Sequence, residues 1–399
     1  MRLEVHLDKA ARNYLFLQKK LKTGADCAAV VKADAYGLGA VEISKALHAQ
    51  NCRHFFVATF EEGVAVRDAL APSPAPLRER AGGEGIEQPP APFPLPPVAS
   101  KSDGPLPLPQ ERERGNIYVL HGPRGATPED FTAQNLIPAL NSLPDIEYWT
   151  AFAKKTGKKQ PAVIHIDTGM NRLGMNASDA KRLTRDLLAP LDVRYVMSHL
   201  ACPDTPDHPK NREQLELFKK LIAETGIPAR YSLANSAGIL LGEDYHFDLA
   251  RPGCGIYGIN PQSAGPNPMD GVVTLKARIL QTRLIDSPQT VGYGAGYKIS
   301  AGARCATVSA GYADGYFRSL TGHGIVVIAG EKCPVIGRVS MDSIIVDVTA
   351  LKTEPQPGDW AEIIGPHQTV DEVAAQAGTI GYEVLTALGK RYERIYTGL

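Results

Sequence analysis

Residues 28–39 read Ala-Ala-Val-Val-Lys-Ala-Asp-Ala-Tyr-Gly-Leu-Gly and join an apolar, partly β-branched run to a single lysine and a loop spaced by glycines. This pattern predicts a buried strand that ends at Lys32. Because burial disfavours a charged ammonium group, the pKa of an amine at that position falls. A neutral lysine amine can attack an aldehyde, so Lys32 is a candidate nucleophile.

The same alternation of strand and helix continues to about residue 265. Short apolar runs of strand length recur eight times, and amphipathic stretches lie between most of them. The runs are 27–32, 55–59, 116–121, 137–141, 162–167, 193–199, 229–235 and 247–251. The amphipathic stretches include 40–49, 60–70, 144–156, 177–188 and 209–225. Eight strands alternating with helices predict an α/β fold, a (β/α)8 barrel of the TIM type over residues 1–265.

Polar side chains collect where these strands end. The fifth run leads into Asp167 and Arg172, the sixth ends at His199, the seventh at Asn235, and the eighth at Arg251. The carboxyl ends of the strands form the catalytic face of this fold. We therefore expect these side chains to share one site with the lysine at the end of the first strand.

The loops after the seventh and eighth strands suit a phosphate group. They offer the hydroxyl of Ser236 and the backbone amides of Gly253 and Cys254, and phosphate often binds to these loops in such barrels. A lysine for an aldehyde and a cup for a phosphate together indicate pyridoxal 5'-phosphate (PLP). No metal site is predicted, because the six scattered cysteines include no Cys-x-x-Cys pair.

Composition argues against several classes of function. The 399 residues carry 43 basic and 43 acidic side chains, so no charge imbalance indicates a nucleic-acid partner. No apolar run approaches the ~18 residues of a membrane span, and no apolar signal core follows Met1. We expect a cytoplasmic protein that binds neither nucleic acid nor a membrane.

One segment, 71–114, differs in composition from the rest. It holds 12 of the 31 prolines, several glycines and almost no aromatic residues. Such a segment buries too little apolar area to offset the entropy of ordering it, so we expect a disordered insert. It follows the second barrel helix, on the face opposite the expected site. We expect deletion of residues 73–112 to leave turnover intact.

Residues 266–399 predict a smaller, mainly β domain. Strand-like segments are separated by glycines and prolines, and few helices intervene before 370–389. The segments are 272–284, 303–309, 324–328, 333–338, 343–348 and 360–364. Tyr293 and Tyr312 lie in glycine-flanked loops, where a tyrosine has few packing neighbours in sequence and its hydroxyl is a candidate functional group.

With these motifs the chain resembles the alanine racemase family, PLP enzymes that interconvert L- and D-alanine. The resemblance covers essentially everything except 71–114, and it rests on eight motifs in order across both domains. The motifs are Val30–Gly37, Asp167–Gly174, Ser198–Ala201, Ala234–Ala237, Arg251–Gly253, Gly292–Gly294, Gly311–Gly315 and Arg338–Asp342.

The resemblance implies a homodimer that shares its active sites and racemises L-alanine to D-alanine for peptidoglycan. Lys32 binds the cofactor and serves as one catalytic base, and Tyr293 from the partner subunit is the opposing base. Arg251 faces the pyridine nitrogen. The other implied cofactor contacts are Tyr36, Arg172, His199, Asn235, Ser236, Gly253 and Cys254. The implied substrate contacts are Arg172, Tyr312 and Met341.

Two positions depart from the family pattern. In many members a carbamylated lysine orients the arginine equivalent to Arg172, but here that position is His165, which leaves open how Arg172 is held. In addition, the segment 388–392 shows no clear equivalent of the phosphate-binding tyrosine that some relatives carry near there.

Three alternatives stay open at this stage. A PLP racemase with broader scope, acting on serine or basic amino acids, differs in pocket size, which sequence does not show. A PLP carrier without turnover resembles only the barrel half. A PLP decarboxylase of similar plan places a cysteine where this chain has Tyr293.

Overall fold

A computed structural model describes residues 1–71 and 115–398. The predicted insert 71–114 lies outside the described residues, apart from Ala71. Within the described ranges, no helix is both long and apolar enough to cross a membrane.

A closed parallel barrel is formed by described residues in the ranges 7–71 and 115–265. Seven strands pair in chain order, and the first and last strands of the barrel close it. The strands are β2 (Asp26–Cys27), β3 (Ala29–Val30), β4 (His54–Val57), β5 (Asn116–Val119), β6 (Leu136–Leu140), β7 (Gln160–His165), β8 (Leu191–Met197), β9 (Arg230–Ser232) and β10 (Leu249–Ala250). Strands β2 and β3 are one stave interrupted at Ala28, since β2 pairs with β10 and β3 pairs with β4. This confirms the predicted (β/α)8 fold class.

The helices of this part of the chain lie mostly on the outside of the barrel. They are α1 (Leu7–Lys19), α2 (Lys32–Gly37), α3 (Ala40–Ala49), α4 (Phe60–Ala69), α5 (Pro128–Ala133), α6 (Leu143–Thr156), α7 (Ala177–Ala180), α8 (Arg185–Leu188), α9 (Pro209–Thr225) and α10 (Ser236–Leu240). Several begin at a polar cap; in α4 the Thr59 hydroxyl accepts from the Glu62 amide while the Glu62 carboxylate accepts from the Thr59 amide. The predicted helix 177–188 is two short helices.

The interior of the barrel is filled by side chains that alternate inward along the strands. This inner core contains Ala28, Phe56, Tyr118, Ile137, Ala139, Val163, Tyr195, Met197 and Leu249. Tyr118 stacks on Phe56 with ring centroids 4.5 Å apart. The barrel is therefore a packed core rather than a pore, which leaves its rim as the place for a ligand.

The C-terminal part is an antiparallel β-barrel with two helices. Its elements are β11 (Val273–Leu284), β12 (Gln289–Val291), β13 (Tyr297–Ile299), β14 (Arg304–Val308), β15 (Ile325–Ile328), β16 (Glu331–Ile336), β17 (Ile344–Asp347), β18 (Trp360–Ile364), α11 (Val370–Ala377), α12 (Gly381–Thr386) and β19 (Glu393–Thr397). Strand β14 pairs with both β17 and β11, which closes the sheet. This confirms the predicted mainly β domain.

The chain begins in this second sheet, which the sequence analysis did not predict. Strand β1 (Arg2–His6) pairs antiparallel with β11 and parallel with β19. The predicted barrel over residues 1–265 did not include this pairing. Strand β1 belongs to the second sheet, and the barrel part of the chain begins after it, with helix α1. The predicted domain boundaries themselves stay a prediction.

Candidate active site

A cavity of about 820 Å³ opens at the carboxyl ends of the barrel strands. Nine of the predicted site residues line it, which confirms that the strand ends meet there. They are Lys32, Tyr36, Arg172, His199, Asn235, Ser236, Arg251, Gly253 and Cys254. Tyr382 of helix α12 and Ile380, the N-cap residue of that helix, also line the cavity.

Lys32 follows β3 after one residue, Val31, and is half-buried at the cavity wall. Burial lowers the pKa of its amine, the guanidinium of Arg172 lowers that pKa further, and the carboxylate of Glu62 opposes both. A lowered pKa increases the fraction of neutral amine at neutral pH, and the neutral form is the nucleophile.

The backbone after Lys32 is unusual, because α2 is wound with a left hand. Ala33, Asp34, Ala35 and Tyr36 all have φ between 52° and 58°. Left-handed helical backbone costs about 1–2 kcal/mol per residue in residues other than glycine. Such strain persists only where surrounding contacts determine the conformation, and it is concentrated at functional sites.

A group of donors and small residues forms a cup at one end of the cavity. The Ser236 hydroxyl is buried and accepts the amides of Gly253 at 2.9 Å and Gly255 at 3.2 Å. A Cβ added at Gly253 would overlap the Tyr36 hydroxyl, so only glycine lets that hydroxyl approach the backbone. The cup matches the predicted loops after the seventh and eighth strands.

Tyr382 is a cavity residue that the sequence analysis missed. Its hydroxyl is within hydrogen-bonding reach of the Cys254 side chain, and its ring lies 5.8 Å from the Tyr36 ring between centroids. Tyr382 precedes the segment 388–392 in the chain. The available signal was Gly381-Tyr382-Glu383, where a tyrosine again follows a glycine at the start of a helix.

Arg251 lies deep in the cavity and is held by two acceptors. Its Nη2 donates to the Ser198 carbonyl at 2.6 Å, and its Nη1 donates to the Ser232 hydroxyl. Burial lowers the pKa of its guanidinium to about 10, so the group stays charged at neutral pH. Burial and this nearby cation hold the pKa of His199 well below its usual value, which keeps His199 neutral.

His165, the position that departs from the family pattern, has a defined protonation state. Burial lowers its pKa to about 4, with Arg251 adding to the effect. Its Nδ1 lies 2.8 Å from Oδ1 of Asn141, whose Nδ2 donates to the Leu120 carbonyl at 2.9 Å. Because Asn141 presents an acceptor, the proton of the neutral ring is on Nδ1, and Nε2 is left as an acceptor.

Arg172 is exposed, at the edge of the cavity, on a loop shaped by Asp167. The Asp167 carboxylate accepts the amides of Gly169 at 2.9 Å, Met170 at 2.8 Å and Asn171 at 2.8 Å. These hydrogen bonds turn the chain so that Arg172 returns to the cavity edge.

The three predicted residues of the C-terminal domain do not line the cavity of their own chain. The exposed fractions are 74% for Tyr293, 43% for Tyr312 and 52% for Met341. They belong to neighbouring loops, because the Tyr312 amide donates to the Ser340 carbonyl at 3.1 Å and a Cβ at Gly294 would lie 2.8 Å from the Arg338 guanidinium. Exposed aromatic and apolar residues on joined loops are typical of an interaction surface.

The cavity has the groups that PLP requires. A lysine amine with a lowered pKa suits the aldehyde, and the cup of hydroxyls and amides at Gly253, which a Cβ would fill, suits the phosphate. The buried cation of Arg251 lines the same cavity. The chemistry of the donor set therefore fits the cofactor indicated by the sequence.

Comparison with known proteins agrees with this geometry. The alanine racemase N-terminal domain model matches residues 5–261, and the alanine racemase C-terminal domain model matches residues 272–396. The chain is 42% identical to an alanine racemase of Rhodospirillum rubrum, over 100% of this chain and 96% of the relative. It is 41% identical to a protein of Mesorhizobium japonicum named alanine racemase, catabolic, over 99% of this chain and 93% of the relative.

Solved structures of similar proteins lead to the same family. Alanine racemase from Bartonella henselae, with covalently bound pyridoxal phosphate, matches with a TM-score of 0.84 and 38% identity over 99% of both chains. Alanine racemase from Streptomyces coelicolor A3(2) matches with a TM-score of 0.84 and 29% identity, over 100% of this chain and 98% of the other. The chain therefore belongs to the alanine racemase family, a family of PLP-dependent racemases.

Proposed function

We propose that this protein interconverts L- and D-alanine with Lys32 and Tyr293 as opposing bases. The observation that supports the proposal most strongly is one cavity that combines a lysine amine of lowered pKa, a buried arginine and a cup of donors. When bound, PLP withdraws electrons from the substrate Cα and so acidifies its proton.

Racemisation requires a proton to leave one face of Cα and another to arrive at the opposite face. In the proposal Lys32 exchanges the proton on one face, since its amine is at the cavity wall. The second base is Tyr293 from the partner subunit. Support comes from its 74% exposure and its place on the joined loops with Tyr312 and Met341, which in a head-to-tail dimer enter the partner's cavity.

We assign to the remaining barrel residues the binding and orientation of the cofactor. We assign phosphate contacts to Tyr36, Ser236 and the amides of Gly253 and Cys254, with Tyr382 beside them. Arg251 is assigned to the pyridine nitrogen, where its positive charge disfavours protonation of that nitrogen. Asn235 caps helix α10 by accepting the Gly238 amide at 2.9 Å and so holds the start of this loop in place.

Substrate binding is assigned to the edge of the cavity. Arg172 binds the substrate carboxylate as an ion pair, and Tyr312 and Met341 of the partner limit the space for the side chain. A larger opening there would instead admit serine or a basic amino acid, which keeps a broad-scope racemase as the second candidate. A non-catalytic carrier is disfavoured by the C-terminal domain that the family model matches.

The proposed physiological role is supply of D-alanine for peptidoglycan in the cytoplasm. All six cysteines are free thiols, which suits a reducing compartment. The name of the Mesorhizobium relative motivates a catabolic role as the alternative. A deletion strain that requires D-alanine for growth supports the first role, and one that only fails to grow on alanine as carbon source supports the second.

Turnover and scope are tested together. The purified protein with added PLP is incubated separately with L-alanine, L-serine and L-lysine, and the products are separated by chiral chromatography. D-alanine as the dominant product supports the proposal, and faster racemisation of serine or lysine contradicts it. Lys32→Ala is expected to lose both turnover and the visible absorption band of the bound cofactor.

The two-base assignment is tested by mixing two inactive variants. In a dimer of Lys32→Ala with Tyr293→Phe, one of the two sites has both bases. Half the dimers in a random equal mixture are of this kind, so about a quarter of wild-type activity per subunit is expected to return. Tyr297→Phe, on the same hairpin, serves as the matched control and is expected to be active alone.

The result that contradicts the shared site is no recovery on mixing although both variants are dimeric. A second readout is solvent-deuterium exchange at Cα. Tyr293→Phe is expected to slow exchange of one alanine enantiomer far more than the other, and equal effects on both enantiomers count against the assignment.

A further inference from the structure

The left-handed turn after Lys32 is bound to a neighbouring strand loop by a single carboxylate. Oε1 of Glu62 accepts the Ala33 amide at 2.7 Å. Oε2 of the same residue accepts the Ala58 amide at 2.7 Å and the Thr59 amide at 3.4 Å. The carboxylate therefore joins the ends of two adjacent barrel strands, β3 and β4.

Both oxygens of Glu62 are needed for this bridge. The bond to Thr59 belongs to the cap of helix α4, but the bond to Ala33 does nothing for that helix. Ala33 is exposed, and its amide is the first after Lys32. Hydrogen bonds to a charged acceptor are among the stronger ones in proteins, so Glu62 is well suited to fix the backbone next to the amine.

Other contacts of the turn come from residues outside β4 and α4. Nη1 of Arg394 donates to the Gly37 carbonyl at 2.8 Å, and the Tyr36 ring packs 4.6 Å from that of Tyr257. Inside the turn the Gly39 amide donates to the Asp34 carbonyl at 2.9 Å. At the start of the turn, at the residue that follows Lys32, the Glu62 carboxylate accepts the backbone amide.

Glu62 also acts on the amine through its charge. Its carboxylate raises the pKa of Lys32, against the lowering by burial and by Arg172. One side chain therefore sets the position of the Lys32 backbone and opposes the loss of its proton.

We propose that Glu62 is a positioning residue that holds Lys32 at the cavity wall by clamping the Ala33 amide. The inference rests on the proposed function, because it takes Lys32 as the reactive amine. A residue that only caps α4 would have no effect on the turn at 33–39, and this difference makes the proposal testable.

The experiment uses Glu62→Gln in the cofactor-loaded protein, with Glu61→Gln as the matched control. Glutamine removes the negative charge and replaces one of the two oxygens with an NH2 donor, so it cannot reproduce the bridge in which one oxygen accepts from Ala33 and the other from Ala58. Glu61 is adjacent, exposed and acidic, and its replacement makes the same charge change without touching Ala33. Hydrogen–deuterium exchange is followed at the amides of 33–39 and, separately, of 60–69.

In Glu62→Gln we expect exchange at Ala33 to be faster by about tenfold or more, as loss of a charged hydrogen bond implies. Glu61→Gln is expected to match the wild type in that segment. Exchange that changes only within 60–69, or not at all, overturns the proposal.

A second readout measures the amine itself. In the cofactor-free protein, labelling of Lys32 by acetic anhydride is measured as a function of pH by mass spectrometry. Glu62→Gln removes the charge that raises the Lys32 pKa, so labelling is expected to begin at lower pH than in Glu61→Gln. An unchanged labelling profile overturns the assignment.

Two further comparisons keep the test interpretable. Glu62→Asp keeps the charge but is one methylene shorter, and it takes the place of Glu62→Gln should that variant not fold; exchange at 33–39 is expected to rise while the labelling profile shifts less. Failure of the clamp leaves the racemisation and mixing assays unaffected, whereas failure of the proposed function leaves the exchange result unaffected. The two ideas are therefore tested independently.

Discussion

Replacing Gly253 with alanine is expected to destabilise the protein because of one neighbouring atom. The added Cβ would overlap the Tyr36 hydroxyl and lie 3.2 Å from Cζ of the same ring, inside the ~3.5 Å of ordinary contact. Tyr36 is 7% exposed, and the rings of Tyr257 and Tyr382 pack beside it. Because the Tyr36 ring has little room to move, the clash is expected to lower the free energy of unfolding by about 1–3 kcal/mol.

A double-mutant cycle isolates this cause. In a Tyr36→Phe background the hydroxyl is absent and the nearest atom is the ring carbon, so Gly253→Ala is expected to cost less than about 1 kcal/mol. Stability is measured by urea unfolding of the cofactor-free protein. Gly271→Ala is the control, since a Cβ at Gly271 meets nothing within 4 Å.

The cofactor provides the second measurement. Because the clash moves the Tyr36 hydroxyl out of the cup, Gly253→Ala is expected to weaken PLP binding by about tenfold or more, which corresponds to ~1.4 kcal/mol. Equal costs of Gly253→Ala with and without the hydroxyl would refute the reasoning, as would a stability equal to that of Gly271→Ala with unchanged PLP affinity.

Three other outcomes are expected. Burial lowers the pKa of His54 in the folded protein to about 4, although the carboxylate of Asp26 opposes this shift. As the pH falls from about 6.5, the imidazole of His54 is therefore protonated in the unfolded chain before it is protonated in the folded protein. The His54 contribution is complete above pH ~6.5 and decreases toward pH ~4, so urea unfolding at pH 7 and pH 5 should show a loss of about 2 kcal/mol that is absent in His54→Gln. Nitrogen-15 NMR at pH 7 should show the His165 proton on Nδ1, and Asn141→Leu should give a mixture of tautomers; an Nε2 proton in the wild type contradicts the Asn141 geometry. Activity per subunit should decrease on dilution below the dissociation constant of the dimer, and full activity of a verified monomer opposes the shared site.

The sequence alone predicted the architecture and the cofactor class. The alternation of apolar runs and amphipathic stretches is a local pattern, and it predicted both the barrel and the β domain. Lys32, His199, Ser236 and Arg251 lie just past the carboxyl ends of barrel strands, and these ends meet at one face of a parallel barrel whatever the details of packing. Their arrival in one cavity could therefore be predicted from their positions in the chain.

Other features were decided only by the tertiary structure. Of Ala33, Asp34, Ala35 and Tyr36, only Asp34 is of a residue type that is enriched at positive φ. The other contacts of the turn come from residues remote in sequence, among them Glu62 and Arg394. Tyr382 reaches the cavity because α12 packs there, and β1 enters the second sheet because β11 and β19 offer it partners. Each of these depends on contacts between residues far apart in sequence, and such contacts leave no periodic pattern in the sequence.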